Sequence, residues 1–145
     1  MVQIERTALV PHSASSMYAL VENVEAYPQF LPWCRAAAVS LREEGRTVAT
    51  LHIDYHGMKQ RVTTANALVP GESIDMELVS GPFRKLHGSW RFQALGDDAA
   101  KIEFRLAYEI SSGLLARLIG PVFNHIANTM MDAFLRRAEA LAKGT

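Results

Sequence analysis

The apolar residues of this chain change period once, and that change constrains the fold more than any other feature. Between residues 35 and 110 they recur at every second position, broken by short polar turns. In "KIEFRLAYEI" (101–110), Ile102, Phe104, Leu106, Tyr108 and Ile110 alternate with Lys101, Glu103, Arg105 and Glu109. A strand sends successive side chains to opposite faces, so this one has an apolar face and a charged face. From Leu115 onward the spacing becomes three and four. Leu115, Leu118, Ile119, Val122, Phe123, Ile126, Met130, Phe134, Ala138 and Leu141 form one stripe along a helix. A sheet apolar on one face and a helix apolar along one stripe must cover each other.

The remaining elements fit around that pair. Residues 2–10 read as a first strand, ended by Pro11. Residues 13–23 read as a short helix with Ser13 as its N-cap, and Met17, Leu20, Val21 and Val24 on one face. "YPQFLPWC" (27–34) holds two prolines among large apolar residues and predicts a broken helical turn. Strands follow, with turns at "REEGR" (42–46), Gly57, "PGES" (70–73), "SGP" (80–82) and "GDDA" (96–99). Ser111 or Ser112 can cap the last helix. Pro121 after Gly120 predicts a kink or restart, giving a short piece and then a long one to about residue 143. The expected class is α+β: a curved antiparallel sheet of about seven strands around a long C-terminal helix, with two short helices after the first strand. Residues 1–145 form one domain in this reading. Such a pair cannot close perfectly at both ends, so a cavity between sheet and helix is a natural result.

Composition narrows the function. Fifteen acidic and fifteen basic residues give zero net charge. A domain whose main task is gripping nucleic acid is usually basic, so DNA is not an expected partner. Cys34 is the only cysteine, so no internal disulfide forms, which fits a reducing compartment. "MVQIERTALV" carries no secretory pattern, and no apolar run reaches the ~18 residues of a membrane span. The expectation is a cytoplasmic protein with at most peripheral contact at the inner membrane.

Residue clusters give little catalytic chemistry. His52, Asp54 and His56 in "HIDYH" fall on one side of a strand and offer two imidazoles and a carboxylate to a metal. Same-face residues on a strand are ~6.6–7 Å apart, wide for three ligands on one ion. The solvated outer face of a strand is the better reading, and no metal is expected. Cys34 has no activating partner nearby in sequence. His125 sits at the edge of the helical stripe. Lys59, Arg61, Arg84, Lys85, Arg91 and Arg105 fall on outward strand positions, interleaved with Glu103 and Glu109.

Three stretches carry a resemblance: "LVENVEAYPQFLPWC" (20–34), "SGPFRKLHGSWRF" (80–92) and "VFNHIANTMMDAFLRRA" (122–138). Together they resemble the START-like (SRPBCC, polyketide cyclase/dehydrase-type) family of coenzyme Q-binding proteins. "RTALVPHSASSMYALVENVEAYPQFLPWC" is most similar to its RatA-type branch of bacterial ribosome association toxins. Asn23 and Ser80 depart from the pattern, each standing where the family has an acidic residue.

The resemblance implies a helix-grip fold with a deep apolar cavity. It implies that the cavity binds a hydrophobic ligand, an isoprenoid quinone such as ubiquinone or another lipid, in support of respiration. No catalysis and no cofactor beyond that ligand are implied. The expected liners are Phe30, Leu31 and Trp33 from the proline-bracketed stretch. Ile53, Tyr55, Met76, Leu78, Phe83, Trp90, Phe104 and Leu106 come from the sheet, and Phe123, Ile126 and Met130 from the helix. The branch implies a second activity, binding the large (50S) ribosomal subunit and blocking subunit association, with Arg84, Lys85 and Arg91 as expected contacts. A third reading is a polyketide cyclase or dehydratase, which an inward-facing polar pair such as Tyr55 and Tyr108 would support.

Overall fold

The turns expected from the sequence join neighbours in one sheet. The computed structural model describes residues 1–144. Its strands are β1 (Val2–Val10), β2 (Cys34–Glu43), β3 (Arg46–Tyr55), β4 (Met58–Val69), β5 (Ser73–Ser80), β6 (Phe83–Gly96) and β7 (Ala99–Ile110). All seven pair antiparallel in the order β1-β7-β6-β5-β4-β3-β2. β3 and β4 are joined by two residues, His56 and Gly57, with φ of 50° and 80°. Both central residues of a two-residue hairpin turn take positive φ when its twist matches that of the strands.

Between β1 and β2 lie α1 (Ala14–Glu22) and a 3-10 helix (Val24–Gln29) that contains Pro28. The Ser13 side chain accepts a hydrogen bond from the Ser16 amide at 3.1 Å and caps α1. The 3-10 helix is pinned by the Tyr27 hydroxyl, which donates to the Val21 carbonyl.

The last helix, α2 (Gly113–Lys143), is one element rather than a short and a long piece. Pro121 removes one amide donor, and the carbonyl deprived of it belongs to Arg117. Pro121 and Arg117 are both exposed, so water can serve that carbonyl and the helix continues. Two residues of the expected stripe are not covered: Leu118 is 67% exposed and Leu141 46%. Leu118 lies about 100° round the axis from buried Ile119. Leu141 lies beyond Ala138, the last buried residue of the helix.

The buried face of α2 (Ile119, Phe123, Ile126, Phe134) meets Ile53, Val62, Trp90, Ile102 and Phe104 of the sheet. Its closest packing is on β7, β1 and α1. The opposite face of the sheet is charged.

Candidate functional site

Beyond its contacts with β7, β1 and α1, α2 leaves a cavity of about 120 Å³ against the sheet. Phe123, Ile126, Ala127 and Met130 form its helical wall. The sheet supplies Leu51 and Ile53, Val62 and Thr64, Met76, then Phe83, Leu86 and Trp90, then Phe104, Leu106 and Tyr108. Tyr27 and Trp33 close it from the segment before β2.

A β-bulge shapes the β6 part of this wall. Phe83 and Leu86 are three apart, which on a regular strand would set them on opposite faces. The register shift between Phe83 and Lys85 inserts Arg84 and brings Phe83, Leu86, Gly88 and Trp90 to one side. Gly88 leaves room there for a close approach by its neighbours. A Cβ on it would lie 2.6 Å from the Met76 methyl and 3.2 Å from Leu106 Cδ1.

Trp33, Ile53, Met76, Phe83, Trp90, Phe104, Leu106, Phe123, Ile126 and Met130 therefore come together around one space. Four expected liners do not reach it. Leu31 is 1% exposed and is core. Phe30 packs outside the cavity, edge-on to Tyr27 and Phe134 and under the Arg137 guanidinium at 5.2 Å. Tyr55, at the end of β3, stacks on His125 with centroids 6.0 Å apart. Leu78 is half-buried beside Gly81. Tyr27, Leu51, Val62, Thr64, Leu86, Tyr108 and Ala127 line the cavity without having been singled out as liners. For Leu51, Leu86 and Tyr108 the strand alternation already carried the signal. For Ala127 the helical spacing from Phe123 carried it.

The wall offers little chemistry. No carboxylate, imidazole or amine lines it. Tyr108 donates to Asn124 Oδ1 on α2, and burial pushes its phenol up to about 12. Tyr27 is pushed further in the same direction, first by burial and then by Cys34 and Glu22. Tyr55 and Tyr108 do not form an inward pair, since Tyr55 is elsewhere. Thr64 donates to Asn66 Oδ1 at 2.9 Å, and Asn66 Nδ2 to Thr47 Oγ1 at 3.3 Å. These three polar side chains line a smaller adjoining cavity of about 50 Å³. Cys34 is buried, and burial raises its thiol to about 11. His52 and Asp54 lie on the outer face, whereas His56 occupies a turn, so the three do not converge. Among the described residues no helix is long and apolar enough to cross a membrane.

The expected partner contacts sit on the outer side of β6. Arg84 pairs with Glu109 at 3.1 Å and Arg91 with Asp75 at 3.0 Å, while Lys85 is exposed.

The family model described as "Polyketide cyclase / dehydrase and lipid transport" matches residues 10–135. The chain belongs to this family. Among its relatives is the "Ribosome association toxin RatA" of Pseudomonas aeruginosa, 46% identical over 138 residues, covering 95% of this chain and 96% of that protein. The Escherichia coli K12 protein of the same name is 43% identical, covering 96% and 88%. A "Coenzyme Q-binding protein COQ10 homolog B, mitochondrial" from Xenopus laevis is 24% identical, covering 94% and 58%. Solved structures share the fold. The Zhui aromatase/cyclase from Streptomyces superposes with a TM-score of 0.82 at 18% identity, covering 96% and 94%. A START superfamily protein from Mycobacterium smegmatis gives 0.77 at 25%, covering 96% and 98%. The architecture is the helix-grip.

Proposed function

We propose that this chain is a ribosome association toxin, which binds the large ribosomal subunit in the cytoplasm and blocks its joining to the small one without catalysing a reaction. The observation that carries this reading is the 46% identity to the Pseudomonas aeruginosa protein along nearly the whole of both chains. The cavity wall adds support, because it holds no acid–base pair on which an enzyme could act. The test is sedimentation. Purified chain added to whole ribosomes should move material from the intact-ribosome peak to the two subunit peaks. An unchanged profile at several-fold molar excess rejects the reading.

A second reading concerns the cavity itself. Its apolar wall favours a hydrophobic small molecule, such as an isoprenoid quinone or lipid, held by burial of apolar surface. At about 120 Å³ it is smaller than the roughly 300–1,000 Å³ of ordinary ligand pockets. A ring and the first part of a tail would enter by displacing the flexible Met76 and Met130 side chains. Mass spectrometry of organic extracts from the purified chain tests this. Absence of any quinone or lipid, with no melting-temperature shift on adding quinone, rejects it.

A further inference from the structure

The outer face of the sheet divides into two electrostatic halves. On β1, β5, β6 and β7 the outward arginines are neutralised, Arg91 by Asp75, Arg84 by Glu109 and Arg105 by Glu5, at 3.0, 3.1 and 3.3 Å, and among the described residues Lys85 is the unpaired cation there. On β2, β3 and β4 the outward ones are not; Arg42 of β2 points to the other side, where it pairs with Glu22 and Glu25 at 2.8 and 2.7 Å. Arg35, Lys59, Arg61 and His52 line a groove of about 610 Å³ in which Asp54 is the one carboxylate. Asp54 faces Lys59 across the β3–β4 ladder, and His52 faces Arg61. Among the described residues, Arg35, Lys59 and Arg61 form no ion pair and no side-chain hydrogen bond.

The fold builds this groove through register. The β-bulge between Cys34 and Ala36 inserts Arg35 beside the outward row. Lys59 and Arg61 are two apart on β4, so they point the same way at ~6.6–7 Å, the order of spacing of successive phosphates along an RNA strand. Three fixed cations against one carboxylate leave the groove positive in a chain of zero net charge.

We infer that this groove docks the phosphodiester backbone of RNA. Arg and Lys supply the charge, and Ser80, which also lines the groove, supplies a neutral hydroxyl of the kind that makes phosphate and sugar contacts. An anionic membrane fits less well. The site is concave, and none of the exposed large apolar side chains lines it, so nothing there can insert among acyl chains. The inference deepens the ribosome reading, and rests on it in so far as the RNA is ribosomal. It also moves the contact away from Arg84 and Arg91, whose charges are already paired.

The test uses the full chain, a fluorescein-labelled oligouridylate read by anisotropy, and purified large subunits read by co-sedimentation. Three phosphate contacts predict that oligonucleotide affinity falls roughly 20-fold between 50 and 200 mM salt, a log–log slope of about −2. The triple variant Arg35→Gln/Lys59→Gln/Arg61→Gln should flatten that slope and weaken binding by about tenfold or more at low salt. Arg84→Gln/Arg91→Gln should leave both unchanged. If the triple variant melts early, Arg61→Gln alone should still reduce the slope by about 0.7. No wild-type oligonucleotide binding, or an unchanged slope in the variants, overturns the inference. So does loss of binding to phosphatidylglycerol vesicles with RNA binding retained, which would assign the groove to lipid. RNA binding lost in the variants, with wild-type protein inert on ribosomes, supports the groove and removes the ribosome reading. Undiminished co-sedimentation of the triple variant with large subunits keeps that reading and overturns the groove as its contact.

Discussion

Gly88→Ala tests whether the cavity is real space with a use. The new methyl would point between Met76 and Leu106, 2.6 Å from the Met76 methyl and 3.2 Å from Leu106 Cδ1. Carbon atoms rest at about 3.5–4.0 Å, so the end of Met76 must retreat by about 1 Å. Met76 lines the cavity and has three rotatable bonds, so the retreat goes into empty volume. An off-rotamer torsion costs about 0.5–1.5 kcal/mol. Replacing a strand glycine returns about 0.5–1 kcal/mol, and burying the methyl about 0.8 kcal/mol. The terms nearly cancel, so stability should stay within about 1 kcal/mol of wild type, a shift of about 4 °C or less. The cavity, only about 120 Å³ to begin with, loses the room taken by the methyl and by Met76. Ligand binding should therefore weaken about tenfold or more, which is about 1.4 kcal/mol. The chain reports on this directly, because its two tryptophans, Trp33 and Trp90, both line the cavity. Quenching of their fluorescence by a short-tailed benzoquinone gives the affinity, and thermal melting gives the stability. Destabilisation beyond about 3 kcal/mol would mean that Met76 has nowhere to go, and the packing argument fails. Unchanged quenching at unchanged stability would mean that the ligand does not use this cavity.

Trp33→Ala should cost about 3–5 kcal/mol in urea unfolding, because Trp33 is 3% exposed. Phe30→Ala should cost about 1–2 kcal/mol, since Phe30 is half-buried and its contacts are chiefly aromatic edges and Arg137. Asn66→Ala should cost about 1–3 kcal/mol by leaving Thr47 and Thr64 without their shared partner. Cys34 and Tyr108 are both raised by burial, to about 11 and about 12. A raised pKa in the folded state stabilises below the unfolded value and is lost as pH rises through the folded one. Melting temperature should therefore fall from about pH 9 upward, and Cys34→Ala should flatten the lower part of that fall.

Much of this molecule is legible in its sequence, for a local reason. Alternation in β7 and the three–four stripe of α2 depend only on neighbouring residues, and both elements formed where the pattern placed them. Ser13 and Ser112 cap their helices as expected, because a cap is also local. Legibility ended where register decides. The bulges at Arg35 and Arg84 leave no mark in the sequence, yet each changes which residues share a face. Six outward cations looked equivalent, and only cross-strand pairing separates paired Arg91 from unpaired Arg61. "YPQFLPWC" held both roles at once: Tyr27 and Trp33 reach the cavity, while Leu31 goes to the core and Phe30 to its flank. Pro121 breaks a helix interior by the usual rule, but the carbonyl it deprives belongs to exposed Arg117 and α2 runs on.

The place of β1 in the sheet has a consequence during synthesis. β1 is made first, but its partner spans Ala100 to Tyr108. At ~5–20 residues per second, the ribosome needs roughly 5–20 s to deliver that partner. For that time β1 is a nascent strand with both edges open, and Ile4 and Val10 are uncovered. Arg6 sits on the same side as those two residues and in the finished fold reaches out to Asn128 of α2. A guanidinium on the apolar side of an unpaired strand makes pairing with a neighbouring nascent chain costly. Arg6 thus sets a charge beside Ile4 and Val10 before the fold that hides them exists.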